Sequence, residues 1–533
     1  MHFDNAEYWH QLEVDCFHAD EINRSNLMKL MNDNKDTVFG RSHDLGSIET
    51  IDEYRRRLPL SHYEPFRGYV DSMLEGGENV LTVYPVENYC HTSGTEGVAK
   101  NIPVTAEAFS RYGNAVGYRQ EEIINEFGGK RFIINTFRTD LSRESTKELL
   151  LSESLFRYLY EHDELDESHF AGGFKTLFSD SLGDRLFVKL WVGFAEKDIT
   201  VLESIFLYDL LIFFTYLEEF WEEVLSAMTR RQIPEGCKIP DDIRAYLLSL
   251  PVSNERLSEV KAQCMGGAFG IAKRLWPNLK LVSGVSNRAY YTEDKTLRAY
   301  IGDVEYYYLA YCASECYMGT AVEDNDFNYV LMPKTAFYEF LPAEGGDKTL
   351  LPLELEIDKC YKPVITTFSG LYRYVMEDIL RVQGFLGKSP IFEFIMRSTQ
   401  TLNIAGEKMA VHLVEKAISQ LDDKNGISEW TIGIEHDTTP GRYFIAAVST
   451  KGYLGYNTDI SNRLDELLSE FNPDYADLRQ MDYIRKPQVL LLKPGTYGNF
   501  LKEIGLAGGH KKPNHVAING FTYQTYRKWV EQT

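Results

Sequence analysis

Residues 91–100 combine the kinds of group that bind phosphate oxygens. The hydroxyl and glycine residues of this stretch are Thr92, Ser93, Gly94, Thr95 and Gly97. Glycine can adopt positive φ angles, so backbone N–H groups can approach a ligand closely, and the hydroxyls add further donors. Lys100 places a point charge at the end of the stretch. The combination predicts a polyphosphate site, and ATP is the expected ligand.

The stretch differs from a Walker A loop, which needs Gly before the lysine and Ser or Thr after it. Here Ala99 precedes Lys100 and Asn101 follows it. A Walker A loop also opens a helix, whereas this stretch lies between predicted extended segments at 79–84 and 102–104, with helix from about residue 106. For the loop taken alone, an ordinary Ser/Thr/Gly turn is the alternative interpretation.

Length and charge limit the class of protein. A chain of 533 residues exceeds one ordinary hydrophobic core, so we expect a large body and at least one further domain. Hydrophobic residues make up 44% of the sequence, which excludes a disordered protein. The net charge of −23 argues against a nucleic acid or an anionic membrane as partner, because either would usually need a basic face. Small-molecule substrates fit this composition better.

The cysteines indicate a reducing compartment. They are seven in number, dispersed, and without a C-x-x-C pair, so neither a disulfide framework nor a zinc site is predicted. The N-terminus has no basic segment followed by an apolar core, and we therefore expect a cytoplasmic protein. The apolar run 205–217 contains Asp209 and continues into an acidic segment, which predicts a soluble amphipathic helix.

Periodicity predicts an α/β protein with two domains. Helices are expected at 106–127, 146–160, 202–230 and 254–274, and extended segments at 279–282, 306–311, 329–332 and 337–341. Residues 362–394 have the pattern of short strands with turns, typical of a small barrel or an antiparallel sheet. Beyond them, helices at 409–421 and 460–471, a hairpin of 430–435 with 443–449, and a strand at 489–492 predict a small α+β domain. The expected domains are 1–397 and 398–533.

Further clusters of residues follow the phosphate-binding stretch at 311–315, 370–378 and 394–408. Their order and spacing resemble the adenylate-forming, firefly-luciferase-like superfamily, and more closely its auxin-responsive Gretchen Hagen family of acyl acid amido synthetases. Segments 58–64, 275–279, 337–342 and 494–497 also resemble that family. The resemblance therefore covers nearly the whole chain.

The resemblance implies a fold and a two-step reaction. The fold would be a large adenylate-forming N-terminal domain, with layered α/β subdomains and a small β-barrel, followed by a smaller mobile α+β domain. In the reaction, a carboxylic acid attacks the α-phosphate of ATP, pyrophosphate leaves, and an amino acid amine attacks the acyl-adenylate, releasing AMP. ATP and Mg²⁺ would both be required.

The resemblance also assigns roles to single residues. The implied nucleotide-binding residues beyond the phosphate stretch are Tyr311, Ser314, Glu315, Tyr374, Asp378 and Arg397. Glu315 would also bind Mg²⁺, Tyr311 would stack on adenine and Asp378 would accept the ribose hydroxyls. Lys100 and Lys511 would be catalytic, with Lys512 as the alternative register for the lysine of the mobile domain. Each residue alone also fits an ordinary role, such as a core aromatic, a turn acid or a surface cation.

Three departures from the family pattern raise alternatives. Glu96 replaces a small or hydroxyl residue in the phosphate stretch, Met376 and Glu377 replace Val-Gly before Asp378, and Asn514 stands where arginine is common. A catalytically degenerate nucleotide-binding protein is therefore one alternative. An acyl-CoA ligase-like enzyme that transfers the acyl group to a thiol is the other.

Overall fold

The computed structural model describes residues 5–92, 100–112, 115, 117–134, 156, 158–162, 165–177, 184–286, 297–397, 401–402, 404, 409–435, 440–451, 455–480 and 484–496. The chain divides into two compact units between Ile395 and Met396. The first unit carries the described candidate site residues Thr92, Lys100, Tyr311, Ser314, Glu315, Tyr374 and Asp378. Each unit is described by itself below.

Short helices form the beginning of the first unit. They are α1 (Asn5–Phe17), α2 (Ala19–Asn34), α3 (Val38–Ser42), α4 (Ile51–Arg57) and α5 (Glu64–Leu74). Thr50 begins α4, where its hydroxyl accepts a hydrogen bond from the N–H of Glu53 at 3.2 Å. This bond satisfies one of the N–H groups that lack a partner within the helix. The side-chain amide of buried Asn23 in α2 donates to the Tyr338 carbonyl and accepts from the Tyr338 N–H. These two bonds attach α2 to the strand that contains Tyr338.

A two-stranded hairpin follows, made of β1 (Val86–Thr92) and β2 (Lys100–Thr105), and then α6 (Ala106–Tyr112) and α7 (Tyr118–Phe127). The extended segment predicted at 79–84 is wrong, since these residues form bends and the strand begins only at Val86. Asn79 has a φ of 51°, in the left-handed region, which a strand cannot accommodate. The single helix predicted at 106–127 is two helices, and Gly117 stands immediately before the second.

A parallel sheet lies in the middle of the first unit. Its strands pair in the order β3 (Lys130–Ile133), β4 (Ile199–Phe206), β5 (Leu281–Val285) and β6 (Glu305–Tyr307). The accompanying helices are α8 (Arg185–Ala195), α9 (Leu207–Arg230), α10 (Asp241–Ser249), α11 (Asn254–Met265) and α12 (Ile271–Leu275). Fully buried Trp276 anchors this layer, because its indole N–H donates to the Gly193 carbonyl at 2.9 Å.

The predicted helix at 202–230 begins too early. Residues 202–206 belong to β4, and α9 begins at Leu207. Residues 199–204 of β4 are all buried although Thr200, Glu203 and Ser204 are polar, so the strand has no clean alternation by which periodicity could separate it from the start of a buried helix. Similarly, the helix predicted at 254–274 is divided into α11 and α12.

An eight-stranded sheet forms the largest part of the first unit. The strands are β7 (Ala310–Ala313), β8 (Cys316–Ala321), β9 (Asn328–Leu331), β10 (Ala336–Pro342), β11 (Cys360–Thr367), β12 (Tyr374–Val375), β13 (Asp378–Leu386) and β14 (Ser389–Arg397). They are ordered β10-β11-β13-β14-β9-β8-β7, with β12 paired to β11. The short strands and turns predicted at 362–394 are confirmed.

The second unit is a small α+β body. Its elements are β15 (Thr401–Leu402), β16 (Met409–Ala410), α13 (Val411–Asn425), β17 (Ile427–Glu435), β18 (Arg442–Ser449), β19 (Gly455–Tyr456), α14 (Thr458–Phe471), α15 (Pro473–Gln480) and β20 (Arg485–Leu492). The predicted hairpin is confirmed, because β17 and β18 pair antiparallel. The sheet order is β17-β18-β20-β19, with β18 and β20 parallel.

The mixed α/β class is thus as expected. Among the described helices, none combines the length and the apolar sequence needed to cross a bilayer. The apolar run 205–217 lies at the end of β4 and in α9, and its residues Leu210, Phe213 and Phe214 are buried in the core beside the parallel sheet.

Candidate active site

The β1–β2 hairpin holds the two ends of the predicted phosphate-binding stretch. Thr92 is paired with Lys100, and His91 with Asn101. The ammonium group of Lys100 lies 6.0 Å from the ring centroid of Tyr63. Ser93, Gly94, Thr95, Glu96 and Gly97 lie outside the described residues, and Thr92 is described only by its place in β1. Their roles stay predictions.

The β7–β8 hairpin carries the next cluster. Ala313 pairs with Cys316, so Ser314 and Glu315 form the turn between the strands. Glu315 is only 7% exposed, although most acids in turns face water. Because a buried carboxylate needs hydrogen-bond donors, its partners identify the groups that the fold brings to it.

Two phenol to carboxylate hydrogen bonds connect this hairpin to residues 374–378. Tyr311 Oη donates to Asp378 Oδ2 at 2.6 Å, and Tyr374 Oη donates to Glu315 Oε1 at 3.1 Å. All four residues are buried. The partners are 67 and 59 positions apart in the chain, so the fold brings four of the predicted nucleotide-binding residues into one place.

The hydrogen bond between Tyr311 and Asp378 also requires a curled sheet. Asp378 begins β13 and Tyr311 lies in β7, four positions away in the strand order. In a flat sheet these strands would be about 19 Å apart, which exceeds the combined reach of the two side chains. The contact of 2.6 Å therefore means that the sheet bends towards closure, as a small barrel does.

The ring of Tyr311 lies among other aromatics. It meets Phe392 edge to face, with centroids 5.3 Å apart, and it lies nearly parallel to Phe394 at 6.2 Å. Sequence analysis treated Tyr311 and Asp378 as independent residues for adenine and ribose, and it missed their hydrogen bond. Stacking of Tyr311 on adenine stays a prediction.

An ion pair that the sequence analysis missed fixes the turn before Tyr374. Arg373 has a φ of 45°, which is uncommon for a residue with a side chain. Its guanidinium donates to Glu339 through Nε at 3.0 Å and Nη2 at 3.2 Å, and to the Leu58 carbonyl at 2.8 Å. Glu339 is fully buried and also accepts from Arg55 at 2.8 Å. The sequence feature that could have indicated this ion pair is Glu339 itself, a lone acid within the apolar strand β10.

Glu377, one of the departures from the family pattern, points to a histidine and a lysine. Its carboxylate lies 3.4 Å from His62 Nδ1 and 3.6 Å from Lys362 Nζ. Its neighbour Asp378 keeps the hydrogen bond from Tyr311. The acid at 377 is therefore accommodated beside the Lys362 ammonium and the His62 imidazole at the edge of the site.

The cysteines of the β7–β8 hairpin are poor nucleophiles. Burial raises the pKa of the Cys312 thiol well above its ordinary value, and the nearby Cys316, Cys90 and Glu315 raise it further. Burial likewise raises the pKa of Cys316, to about 12. Because the thiolate is the reactive form, covalent catalysis through these cysteines is disfavoured near neutral pH.

The predicted residues from the end of the chain add little geometry. Arg397 is the last residue of β14, and its side chain is not among those described. Lys511, Lys512 and Asn514 lie outside the described residues. Their roles stay predictions.

The donor set fits Mg²⁺ in one particular way. Within the described parts of the chain, no three His, Cys, Asp or Glu side chains cluster as they would around a fully protein-bound metal. Mg²⁺ in nucleotide sites is usually held by one or two carboxylates, water and substrate phosphates. A single buried carboxylate at Glu315, oriented by Tyr374, suits that mode of binding.

Two solved structures show which fold this chain shares. A 2-hydroxyisobutyryl-CoA ligase in the postadenylation state has the same fold with a TM-score of 0.52 and 12% identity, covering 98% of this chain and 91% of that one. The structure of AtGH3.15 acyl acid amido synthetase in complex with 2,4-DB is more similar. Its TM-score is 0.85 at 22% identity, and the match covers 99% of this chain and 96% of that chain.

Family comparison agrees over most of the sequence. Residues 8–306 match the GH3 family N-terminal domain, residues 329–397 its central domain and residues 408–519 its C-terminal domain. A relative, jasmonoyl-L-amino acid synthetase GH3.5 of Oryza sativa subsp. japonica, is 23% identical, with 92% of this chain and 90% of the relative covered. The chain belongs to the GH3 family, and the resemblance drawn from its motifs is confirmed.

Proposed function

We propose that this protein is an ATP-dependent acyl acid amido synthetase, a ligase that forms a carbon–nitrogen bond through an acyl-adenylate. It would activate a carboxylic acid with ATP, release pyrophosphate, and transfer the acyl group to an amino acid amine with release of AMP. The observation that carries the proposal is the pair of buried hydrogen bonds between residues 311 and 378 and between residues 315 and 374. They assemble the family's nucleotide motifs in a chain that matches the GH3 family throughout.

The nucleotide is assigned to the residues of the family motifs. Asp378 would accept the ribose hydroxyls, because a carboxylate can accept several hydrogen bonds at once, and it already accepts one from Tyr311. Tyr311, Ser314 and Tyr374 line the adenosine, and Arg397 lies near the ribose. The phosphate chain is assigned to Lys100 and to Thr92, Ser93, Gly94, Thr95 and Gly97.

Catalysis of adenylation would depend on charge stabilisation. The departing pyrophosphate gains negative charge, and preorganised donors and cations aimed at its oxygens lower the barrier. Lys100, at the start of β2, would be one such cation. Mg²⁺ held by Glu315 would supply charge neutralisation at the phosphates.

We assign residues 1–397 to the adenylation domain and 398–533 to a mobile C-terminal domain. Lys511, with Lys512 as the alternative register, would bridge the acyl carboxylate and the α-phosphate while the domain is closed. The compartment proposed is the cytoplasm, supported by seven cysteines that are all free thiols.

One assay set tests the activity and its alternatives. ATP–pyrophosphate exchange that depends on an added carboxylic acid is expected for an adenylating enzyme and absent for a degenerate nucleotide-binding protein. AMP release is then measured with a panel of acids crossed with amino acids, and with coenzyme A in a parallel arm. An amide detected by mass spectrometry supports the proposal, whereas a thioester without an amide would show an acyl-CoA ligase instead.

A further inference from the structure

Tyr63 lies between the two parts of the proposed nucleotide site. It ends the segment 58–63 between α4 and α5, and it is 2% exposed. Two residues earlier, Ser61 pairs with the motif around Tyr374. The Ser61 N–H donates to the Arg373 carbonyl at 3.0 Å, and the Val375 N–H donates to the Ser61 carbonyl at 2.8 Å. The segment is therefore attached to the adenosine side of the site.

The hydroxyl of Tyr63 is attached to the phosphate side. It donates to the Asn101 carbonyl at 2.9 Å and accepts from the Asn101 N–H at 3.1 Å. Both bonds go to the backbone of β2, on the edge of a hairpin that has only two strands. The hydroxyl thus gives Asn101 what a third strand would give, and it fixes the backbone next to Lys100.

The ring of Tyr63 also attracts cations. Lys100 Nζ lies 6.0 Å from its centroid and Arg67 Cζ lies 5.0 Å from it. Cations close to an aromatic face are stabilised by the ring quadrupole. Arg67 is paired with Glu64 at 2.6 Å. Burial raises the pKa of Tyr63, so the hydroxyl keeps its proton and remains a donor at neutral pH.

We propose that Tyr63 is a positioning residue for Lys100, which it holds through the Asn101 backbone and its own ring at the place where the nucleotide polyphosphate binds. This inference rests on the proposed function, because it needs ATP as the ligand. Tyr63 itself makes no contact with the reacting atoms. It acts by preorganising the cation of Lys100. A preorganised cation strengthens the binding of ligands that carry β- and γ-phosphates.

Tyr63→Phe tests the role, because it removes one oxygen and keeps the ring. Dissociation constants for ATP and AMP are measured by titration calorimetry on the full chain. We expect ATP to bind about tenfold more weakly, as for the loss of hydrogen bonding at one site, and AMP to change less than about twofold. Tyr69→Phe is the matched control in the adjoining helix α5, since its hydroxyl lies 3.5 Å from Ser42 Oγ. That control should leave both constants unchanged.

A double-mutant cycle separates positioning from a general loss of structure. If Tyr63 acts through Lys100, then Tyr63→Phe should cause no further loss of ATP affinity in a Lys100→Ala background. Full additivity of the two effects would overturn the proposal, and so would an equal loss for ATP and AMP. Unchanged ATP affinity in Tyr63→Phe overturns the positioning role alone. A wild-type protein that binds no ATP overturns the proposed function together with it.

Discussion

The buried carboxylate of Glu339 offers a quantitative test of how the site is held together. It is fully buried and accepts hydrogen bonds from Arg55 at 2.8 Å, from Arg373 at 3.0 and 3.2 Å, and from Thr349. Glu339→Ala leaves the guanidinium of Arg373, whose side chain is 6% exposed, without its anion. Removing one partner of a buried ion pair typically costs about 3–5 kcal/mol of unfolding free energy.

Urea unfolding at neutral pH is the assay for this cost. We expect Glu339→Ala to lose about 3–5 kcal/mol. Glu339→Gln keeps the volume and an acceptor but loses the charge, so it should lose about 1.5–3 kcal/mol. The exposed acid Glu356 provides the control, and Glu356→Ala should stay within about 0.5 kcal/mol of wild type. A loss below about 1 kcal/mol in Glu339→Ala would show that the ion pair does not fix this region.

A double variant at residues 339 and 373 shows whether the strained backbone at Arg373 contributes to the loss of stability. Arg373→Gly removes the guanidinium and accepts a φ of 45° without strain, which a larger residue does not. In the double variant with Glu339→Gln the Arg373–Glu339 pair is removed from both sides, and the cation that still loses its anion is Arg55, whose side chain is 21% exposed. We therefore expect the double variant to be more stable than the sum of the single effects predicts, by about 1–3 kcal/mol. Strict additivity would contradict a direct coupling between the two side chains.

Three further outcomes are expected. Asp378→Asn keeps an acceptor for Tyr311 but loses the carboxylate, so ATP affinity measured by calorimetry should fall about tenfold; an unchanged affinity would remove Asp378 from the ribose site. Glu315→Gln should need more Mg²⁺ for half-maximal pyrophosphate exchange, and an unchanged Mg²⁺ dependence would exclude it as the ligand. Burial lowers the pKa of Lys189 from 10.5 to about 7. The destabilisation of the folded protein by the buried ammonium is therefore complete below pH 7 and disappears above pH 10.5. In urea unfolding, Lys189→Met should thus be stabilising by up to about 4 kcal/mol at pH 7 and by about half of that at pH 9. The cost of leaving the Thr176 carbonyl unpaired is subtracted from both values. Exposed Lys175→Met is the control and should show no such pH dependence.

The sequence predicted elements best where one face of the element is buried. The hairpin of β17 and β18 and the amphipathic α14 were both identified, because alternation and helical spacing are visible in their residues. It failed at residues 202–206, where β4 is buried on both faces and continues directly into α9. It also failed at 79–84, where the left-handed Asn79 prevents a strand in an otherwise strand-like segment.

The site was predictable as a set of residue types and not as a set of contacts. Motif spacing selected Tyr311, Glu315, Tyr374 and Asp378, but which phenol meets which carboxylate depends on the strand order and on the curl of the sheet. These properties arise from pairings between segments far apart in the chain, which local patterns do not encode. Glu339 was missed for the same reason, since its partners Arg55 and Arg373 come from opposite ends of the first unit.

The distribution of charge explains why a single lysine has to be placed so carefully. With a net charge of −23, the protein as a whole repels a polyanionic nucleotide. Several cations near the site are already neutralised: Arg373 by Glu339, Arg67 by Glu64 and Lys362 by Glu377. Among the residues that the structure describes, Lys100 has no carboxylate within 4.0 Å. Under the proposed function, attraction of the polyphosphate would depend on Lys100 and the metal ion, and a cation held in place by Tyr63 would lose less entropy on binding than a freely rotating side chain.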